Sequence, residues 1–389
     1  GDDGLVIVDT GMMVDDAGRI MAEFRKLSDK PVKAIIFTHS HGDHTGGASA
    51  FLGDERPQIW AHRNFGSEAK PLEAGGVTFQ RVRGARQAGF KLPADQRINN
   101  GIAPVRYPKR GGGVFASSNA TKPNHFLEGD RQTIRIAGVE LELVSSPGET
   151  NDQLFVWDPA GKVLFVGDNF YRSFPNLYAI RGTPNRSVRL WAESIGKLVD
   201  YDAQALVGGH TNPVMGATEV KQILNDYRDA VQFIHDKTVE GMNQGLTPDE
   251  LVEYVQLPDE LAGKDYLQPF YGHPEWGVRS VVNGYLGWFD GNATNLFRLS
   301  PTSEAQRIAK LAGGADKLMK AAQEALNEGD NQWAAQLADY VLAINKNDTE
   351  ARLLKADALT NLARKMVNAT ARNYYLTVAR ELREDTDRD

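Results

Sequence analysis

The sequence predicts an α/β layered domain followed by an all-α one, and three observations carry that prediction. Short apolar runs rich in β-branched residues, such as Leu5-Val6-Ile7-Val8 and Val32-Lys33-Ala34-Ile35-Ile36-Phe37, read as buried strands with helical spacing between them. Histidines and carboxylates follow the ends of such runs repeatedly, where ligand sites gather in layered sheets. From Thr218 onward helical periodicity takes over. The 389 residues accordingly imply two domains, or one large domain with an appendage.

Composition excludes several classes of function. The chain is 41% hydrophobic and 24% charged, ordinary values for a globular protein. Its net charge of −7 argues against non-specific nucleic-acid binding, which needs a basic face. No apolar run approaches the length of about 18 residues that a membrane-spanning helix requires. There is no cysteine, so disulfides and thiolate ligands are excluded and any metal site must use histidine and carboxylate.

In chain order, Gly1-Asp2-Asp3-Gly4 reads as a turn, and the strand Leu5–Val8 ends in Asp9-Thr10-Gly11. Ala17 to Leu27 has helical spacing in Ile20, Phe24 and Leu27 and is expected to cross over to the strand at Val32. A further strand is expected at Gln58 to His62, with His62 structural. Residues 65 to 128 show no clear period, and Gly111-Gly112-Gly113 is not followed by the Lys-Ser/Thr of a phosphate loop. This stretch is expected to be a lid or substrate-channel insertion, or a surface excursion, with His125 near its end. Strands return at Gln132–Ile136, Val139–Val144, Leu154–Trp157, Val163–Val166 and Ala205–Val207.

The strand ends carry the chemistry. His39-Ser40-His41-Gly42-Asp43-His44 places three imidazoles and a carboxylate within six residues, and these are ligands that Zn²⁺ takes at neutral pH. His39 and His41 share one side of an extended segment, whereas Asp43 and His44 turn toward a second metal position. Carboxylates follow two later strands, in Pro147-Gly148-Glu149-Thr150-Asn151-Asp152 and in Gly167-Asp168, and a fourth histidine follows another in Gly208-Gly209-His210. Zn²⁺ held by such ligands would lower the pKa of a bound water toward neutrality and supply the nucleophile of a hydrolysis.

This ordered set of motifs resembles the metallo-β-lactamase superfamily over residues 5 to 213, which implies an αββα sandwich, its N-terminal strands shortened here. Phe174-Pro175-Asn176-Leu177-Tyr178-Ala179-Ile180-Arg181-Gly182 is similar to the signature of alkyl sulfatases. Gly241–Pro248, Glu275–Arg279, Gly284–Asn292 and Arg372–Leu376 resemble their dimerisation domain. The resemblance implies two Zn²⁺ per chain, one on His39, His41 and Glu149, the other on Asp43, His44 and His210, with Asp168 bridging. Asp152 is the alternative to Glu149, and Asp168 stands where these sulfatases more often carry the longer Glu. Asn176 and Arg181 would bind the sulfate group, with Tyr178 beside them; Asp43, Asn176 and Arg181 are the catalytic candidates. His125 and Tyr178 are candidates for the acid that protonates the leaving alcohol.

The expected division is a catalytic domain over residues 1–218 and a helical dimerisation domain over 219–389. In the latter, Leu318/Ala322/Ala325/Leu326, Trp333/Leu337/Tyr340/Val341 and Leu354/Ala358/Leu362 mark three amphipathic helices resembling tetratricopeptide-like hairpins. Aromatics between Tyr266 and Phe297 are expected to line an alkyl pocket, a dimer interface or a domain core. The function expected from the resemblance is hydrolysis of alkyl sulfates to alcohol and sulfate by a homodimer. The rivals are another hydrolase of the same fold (lactonase, β-lactamase or phosphodiesterase-like) and a helical scaffold bearing an inactive metal domain. Export to the periplasm or medium is expected, since such enzymes meet detergent-like substrates there, and any signal would precede Gly1.

Overall fold

The computed structural model describes residues 1–53, 56–103 and 121–386. By contact they form two compact units, one drawn from Gly1–Thr78, Arg106–Ala179 and Thr183–Gly287, the other from Phe79–Val105, Ile180–Gly182 and Trp288–Asp389.

The first unit is built on two sheets. Strands β1 (Leu5–Val8), β2 (Val32–Ile36), β3 (Gln58–His62) and β4 (His125–Leu127) lie in that order, every neighbouring pair parallel. Parallel neighbours need crossovers, and α1 (Val14–Arg25) supplies the first of them. The second sheet runs β10-β9-β8-β7-β6-β5 and comprises β5 (Arg131–Ile136), β6 (Val139–Ser145), β7 (Leu154–Asp158), β8 (Val163–Gly167), β9 (Ala205–Gly208) and β10 (Val214–Met215). It is antiparallel except where β8 meets β9, so the ends of those two strands emerge on the same side.

Three apolar clusters stack these elements in layers. Ile7, Ile35 and Ile59 pack with Ala17 and Met21 of α1 on the outer face of the first sheet. Ala34, Ile36 and Trp60 meet Leu141, Leu143 and Val156 between the sheets. Beyond the second sheet, Phe155, Leu164 and Leu206 pack against Trp191 and Ile195 of α5 (Val188–Val199) and Ile223 and Tyr227 of α6 (Ala217–Asn243). The order α-β-β-α is the sandwich that the motifs imply. Strand alternation decides it: each strand sends successive side chains to opposite faces, so a sheet apolar on both faces must be covered twice.

Three details depart from expectation. Ile20 and Phe24 of α1, and Leu27 just beyond its end, face outward, and Ala17 and Met21 make the core contact instead. Residues 65–128 are not irregular throughout: α3 (Ala69–Ala74) and α4 (Phe79–Ala88) form there, helices that a low apolar content and Gly75-Gly76 conceal. Gly111–Gly113 fall outside the described residues. The compact units also divide elsewhere than at residue 218. Helix α6, with α7 (Pro248–Tyr254), α8 (Asp259–Ala262) and α9 (Pro274–Leu286), belongs to the sheet-bearing unit, because Ile223, Leu251 and Val278 share its largest apolar cluster.

The second unit is helical. It contains α4, α10 (Pro301–Ala312), α11 (Ala315–Glu328), α12 (Asn331–Ile344), α13 (Thr349–Lys365) and α14 (Ala369–Thr386). Ser300, Asp330 and Asp348 cap α10, α12 and α13 by accepting the amides of Ser303, Trp333 and Ala351. Alanines at the contacts, among them Ala322, Ala334, Ala338 and Ala358, bring successive helices close together. Among the described residues, no helix is long and apolar enough to cross a membrane.

Trp191 is fully buried, and its ring lies beneath Gly148 of the turn that presents Glu149. Trp191→Ala is expected to cost about 3–5 kcal/mol of stability. A denaturant titration comparing midpoints checks this.

Candidate metal centre

The C-terminal ends of β1, β2, β8 and β9, together with the turn after β6, converge on one cluster of ionisable groups. After β2 the chain continues extended through Thr38 and the histidines to the short helix α2 (Gly42–Thr45), which turns Asp43 and His44 back toward the sheets. The amide of Leu154 donates to the Thr38 carbonyl at 2.8 Å, so the histidine loop of one sheet is tied to the edge of the other.

His39 Nε2 and His41 Nδ1 lie 3.0 Å apart. His44 Nε2 is 3.3 Å from Asp168 Oδ1 and 3.9 Å from Asp43 Oδ2, while His210 Nε2 stands 3.3 Å from Asp43 Oδ2 and 3.5 Å from Asp168 Oδ2. Two sets of donor atoms are each close enough to share an ion: His39, His44 and Asp168, and Asp43, His44 and His210. His41 and Glu149 adjoin them, with His41 Nδ1 3.9 Å from Glu149 Oε1. Every residue of the seven-member set lies in this region, and His44 is the member shared by both clusters.

Close packing here depends on Gly209. A Cβ on it would stand 2.4 Å from His44 Cε1 and 2.5 Å from Asp168 Oδ1, so only glycine lets His210 approach those two groups. This is the physical content of the Gly-Gly-His motif.

Charges are strongly coupled. Burial pushes the His39 imidazole down, and His44 and His41 nearby push it further. Burial would lower His44 too, but the carboxylates of Asp168, Asp9 and Asp43 overcome it and raise the imidazole well above its ordinary value. His210, opposed by burial and held up by Asp168 and Asp43, is raised to about 10. Asp168 is lowered by His210 and His44 against the opposing effect of burial.

Other expected residues go elsewhere. Asp152 accepts from Thr150 Oγ1 and from the Gly66 amide at 2.9 Å, bracing the Glu149 turn without joining either donor cluster. His62 is held by the Asn64 amide at 3.1 Å and Ser145 Oγ at 3.3 Å, a structural role. His125 packs its ring against Trp60 and lies 2.7 Å from Asn124 Oδ1. Tyr178 is half-buried. Arg181 belongs by contact to the helical unit.

Asn176 is brought close to the Glu149 carboxylate through a residue that sequence reasoning missed. Arg186 is almost fully buried, and its Nη1 donates to Glu149 Oε1 at 2.9 Å and to the Asn176 carbonyl at 2.7 Å. The Asn176 amide donates to Tyr171 Oη at 2.7 Å. With its backbone thus fixed, the Asn176 side chain is buried with neither its oxygen nor its nitrogen hydrogen-bonded, and Arg186 Nε and Nη2 are likewise unpartnered. Buried polar groups are normally partnered by protein, water or a ligand, so these atoms mark a place where a further partner fits. A signal for Arg186 existed in its position five residues after Arg181, but an isolated arginine does not announce its burial.

Asp9 and Glu68 were also missed. Asp9 ends β1 in the left-handed region at φ 56°, where it accepts from the Thr38 amide and Thr38 Oγ1, both at 2.8 Å, and stands 2.8 Å from His44 Nδ1. Glu68 Oε2 is 3.3 Å from His41 Nε2. Carboxylates behind imidazoles fix the ring orientation and its basicity in metal sites.

Two stacked sheets with a histidine–carboxylate cluster at one end define the metallo-β-lactamase class, and residues 1–210 match the metallo-β-lactamase superfamily while 247–385 match the alkyl sulfatase dimerisation family. The linear primary-alkylsulfatase of Pseudomonas sp. strain ATCC 19151 is 36% identical over 98% of this chain and 72% of its own length. An (R)-specific secondary-alkylsulfatase from Pseudomonas sp. is 32% identical over 98% of this chain, which spans 59% of that relative. The solved stereoselective inverting sec-alkylsulfatase Pisa1 from Pseudomonas sp. superposes with a TM-score of 0.86 at 31% identity, covering 98% of this chain and 62% of that one. The chain belongs to the alkylsulfatases, sulfuric ester hydrolases of the metallo-β-lactamase superfamily. The fold family and the two donor clusters together imply divalent-metal binding.

Ligation requires neutral imidazoles, and His44 and His210 are held protonated near neutral pH in the metal-free chain, so binding releases protons and apparent metal affinity rises with pH. Asp9→Ala removes the carboxylate behind His44 and is expected to weaken the affinity by about 10–100-fold. Competition with a chelating dye, at two pH values, measures both effects.

Proposed function

We propose that the protein hydrolyses alkyl sulfate esters to an alcohol and inorganic sulfate with two Zn²⁺ ions per chain. The donor set supports the metal: His44 Nε2 stands 3.3 Å from Asp168 Oδ1 and His210 Nε2 3.5 Å from Asp168 Oδ2, a convergence of imidazole and carboxylate that suits a shared cation. His39, His41 and Glu149 would hold one ion, Asp43, His44 and His210 the other, and Asp168 both. When bound, such a pair supplies an ionised water at neutral pH and offsets negative charge on a departing sulfate.

The observation that carries the substrate is the buried Asn176 amide beside the Arg186 guanidinium, with unused donors on both. A sulfate monoester presents tetrahedral, anionic acceptor oxygens. Planar guanidinium forks and amide N–H groups suit such oxygens, and out of water these bonds are strengthened. Arg186 stays charged because the Glu149 carboxylate opposes the effect of its burial. Arg181 is assigned a sulfate-binding role on the resemblance of its segment. Tyr171 and Tyr227 are kept protonated by burial and then by the Glu149 charge, so they act as neutral posts that fix Asn176 and the Ser173 carbonyl.

Asn176→Ala tests the anion site cleanly. Its side chain makes no hydrogen bond, so stability should hold or rise, while kcat/KM for alkyl sulfates falls roughly 10–100-fold, as expected on losing a hydrogen bond to a charged group. Sulfate release from a panel of primary and secondary alkyl sulfates, with and without chelator, measures this. Unchanged turnover in the variant, or full activity after metal removal, refutes the corresponding part of the reading.

The homodimer is supported by the dimerisation family match over 247–385 and by apolar surface within the helical unit, where Trp288 is 77% and Phe297 95% exposed. Burying such side chains against a second copy is favourable, and aromatics are enriched at interfaces. Phe297→Asp combined with Trp288→Glu is expected to convert a dimer to monomer in sedimentation at micromolar concentration. An undiminished dimer would place the interface on another face.

A further inference from the structure

Helix α4 grips the segment that carries Arg181. Residues 80, 84 and 87 lie on one face of the helix, since positions three and four apart stack one above another. All three meet that segment. Gln87 Oε1 accepts the Arg181 amide at 3.0 Å, and Gln80 Nε2 donates to the Gly182 carbonyl at 3.2 Å. Between them, a Cβ on Gly84 would stand 3.9 Å from both Cβ and Cδ of Arg181, so the stem of the arginine runs along the helix over a position that has no side chain.

The helix is in turn anchored to α14. Asn373 is fully buried, and its Nδ2 donates to the carbonyls of Gln87 at 3.3 Å and Asn99 at 3.1 Å. Arg86 pairs with Glu381 at 2.7 Å and lies over the Tyr374 ring, and Lys91 reaches the same Glu381 at 3.1 Å. A continuous chain of contacts therefore runs from α14 through α4 to Arg181, all of it within the helical unit.

We propose that α4, braced by α14, is a mount that pre-positions Arg181, with Gln87 and Gly84 as positioning residues, so that Arg181 meets a sulfate group already ordered. Arginine carries a long side chain whose ordering opposes binding. Fixing its amide and laying its stem on a helix removes part of that cost before the ligand arrives. Gly84 has the further property that glycine inside a helix is unfavourable, so its presence is explained by the space that the arginine occupies. The inference rests on the reading of Arg181 as a sulfate ligand.

The test compares Gly84→Leu, Gln87→Leu, Gln87→Glu and Arg181→Ala in the full chain. Readouts are kcat and KM for octyl sulfate, competitive inhibition by inorganic sulfate, bound zinc and thermal midpoint. Gly84→Leu improves helix propensity and leaves the α14 face untouched, so its midpoint should not fall, yet it fills the space under the stem. It and Gln87→Leu are expected to raise both KM and the sulfate inhibition constant roughly tenfold, the scale of one hydrogen bond to a charged group, with kcat and zinc content little changed. Gln87→Glu retains the acceptor and should restore most of the affinity. If Gly84→Leu and Gln87→Leu match the parent in both constants while Arg181→Ala raises them, the mount is wrong and the sulfate reading stands. If Arg181→Ala changes neither constant, both fall.

Discussion

The structure depends on keeping a dense group of ionisable side chains out of water. His39, His44, Glu149 and Asp168 are buried, and Asp9, Asp43 and His210 are half-buried around them. Removing a charge from water is costly unless opposite charge and hydrogen bonds replace the solvent. Placement must therefore be accurate, and flexible loops alone could not deliver it. The fold draws each group from the end of a strand or the turn beyond it, with both sheets contributing, and spends backbone strain where needed. Asp9 sits at φ 56° and Gly167 at φ 52°. A non-glycine residue in that region is tolerated when the surroundings over-determine it, and the Thr38 and His44 contacts of Asp9 do so.

The same logic separates metal chemistry from anion recognition. Imidazoles and carboxylates gather where negative charge and neutral nitrogen suit a cation. Arg186 neutralises Glu149 and leaves two nitrogens without a partner among the described residues, where the proposed sulfate site lies. A single buried arginine thus satisfies a carboxylate, fixes the Asn176 backbone and keeps donors in reserve. That economy explains why so few side chains serve both halves of the site.

The helices after the sandwich do more than one task. Those from α6 to α9 complete the sandwich's outer layer, since Ile223, Tyr227 and Val278 share the core with the second sheet. Those from α10 to α14 form a separate alanine-rich stack, and α4, from early in the chain, joins it. The proposed dimer would account for an exposed aromatic surface. It does not account for a buried Asn373 that reaches back to a helix nearly three hundred residues earlier in the chain, and the hold of that helix on Arg181 does.

The sequence by itself determined the layered class and the donor types of the cluster. Ligand type is a property of the side chain, and strand-end placement is written in local apolar periodicity, so His39, His41, Asp43, His44, Asp168 and His210 were legible at once. Helices α11–α13 were legible for the same reason, their period being local. Only the tertiary structure decided the roles of Asp9, Glu68 and Arg186, which look like ordinary surface charges until burial removes the water around them. It also gave Asp152 a bracing contact to the Gly66 amide, turned Ile20 and Phe24 outward, and showed α4 where Gly75-Gly76 and sparse apolar residues hid a helix. In each of these cases the decisive quantity is solvent exclusion by residues distant in sequence, which no local pattern encodes.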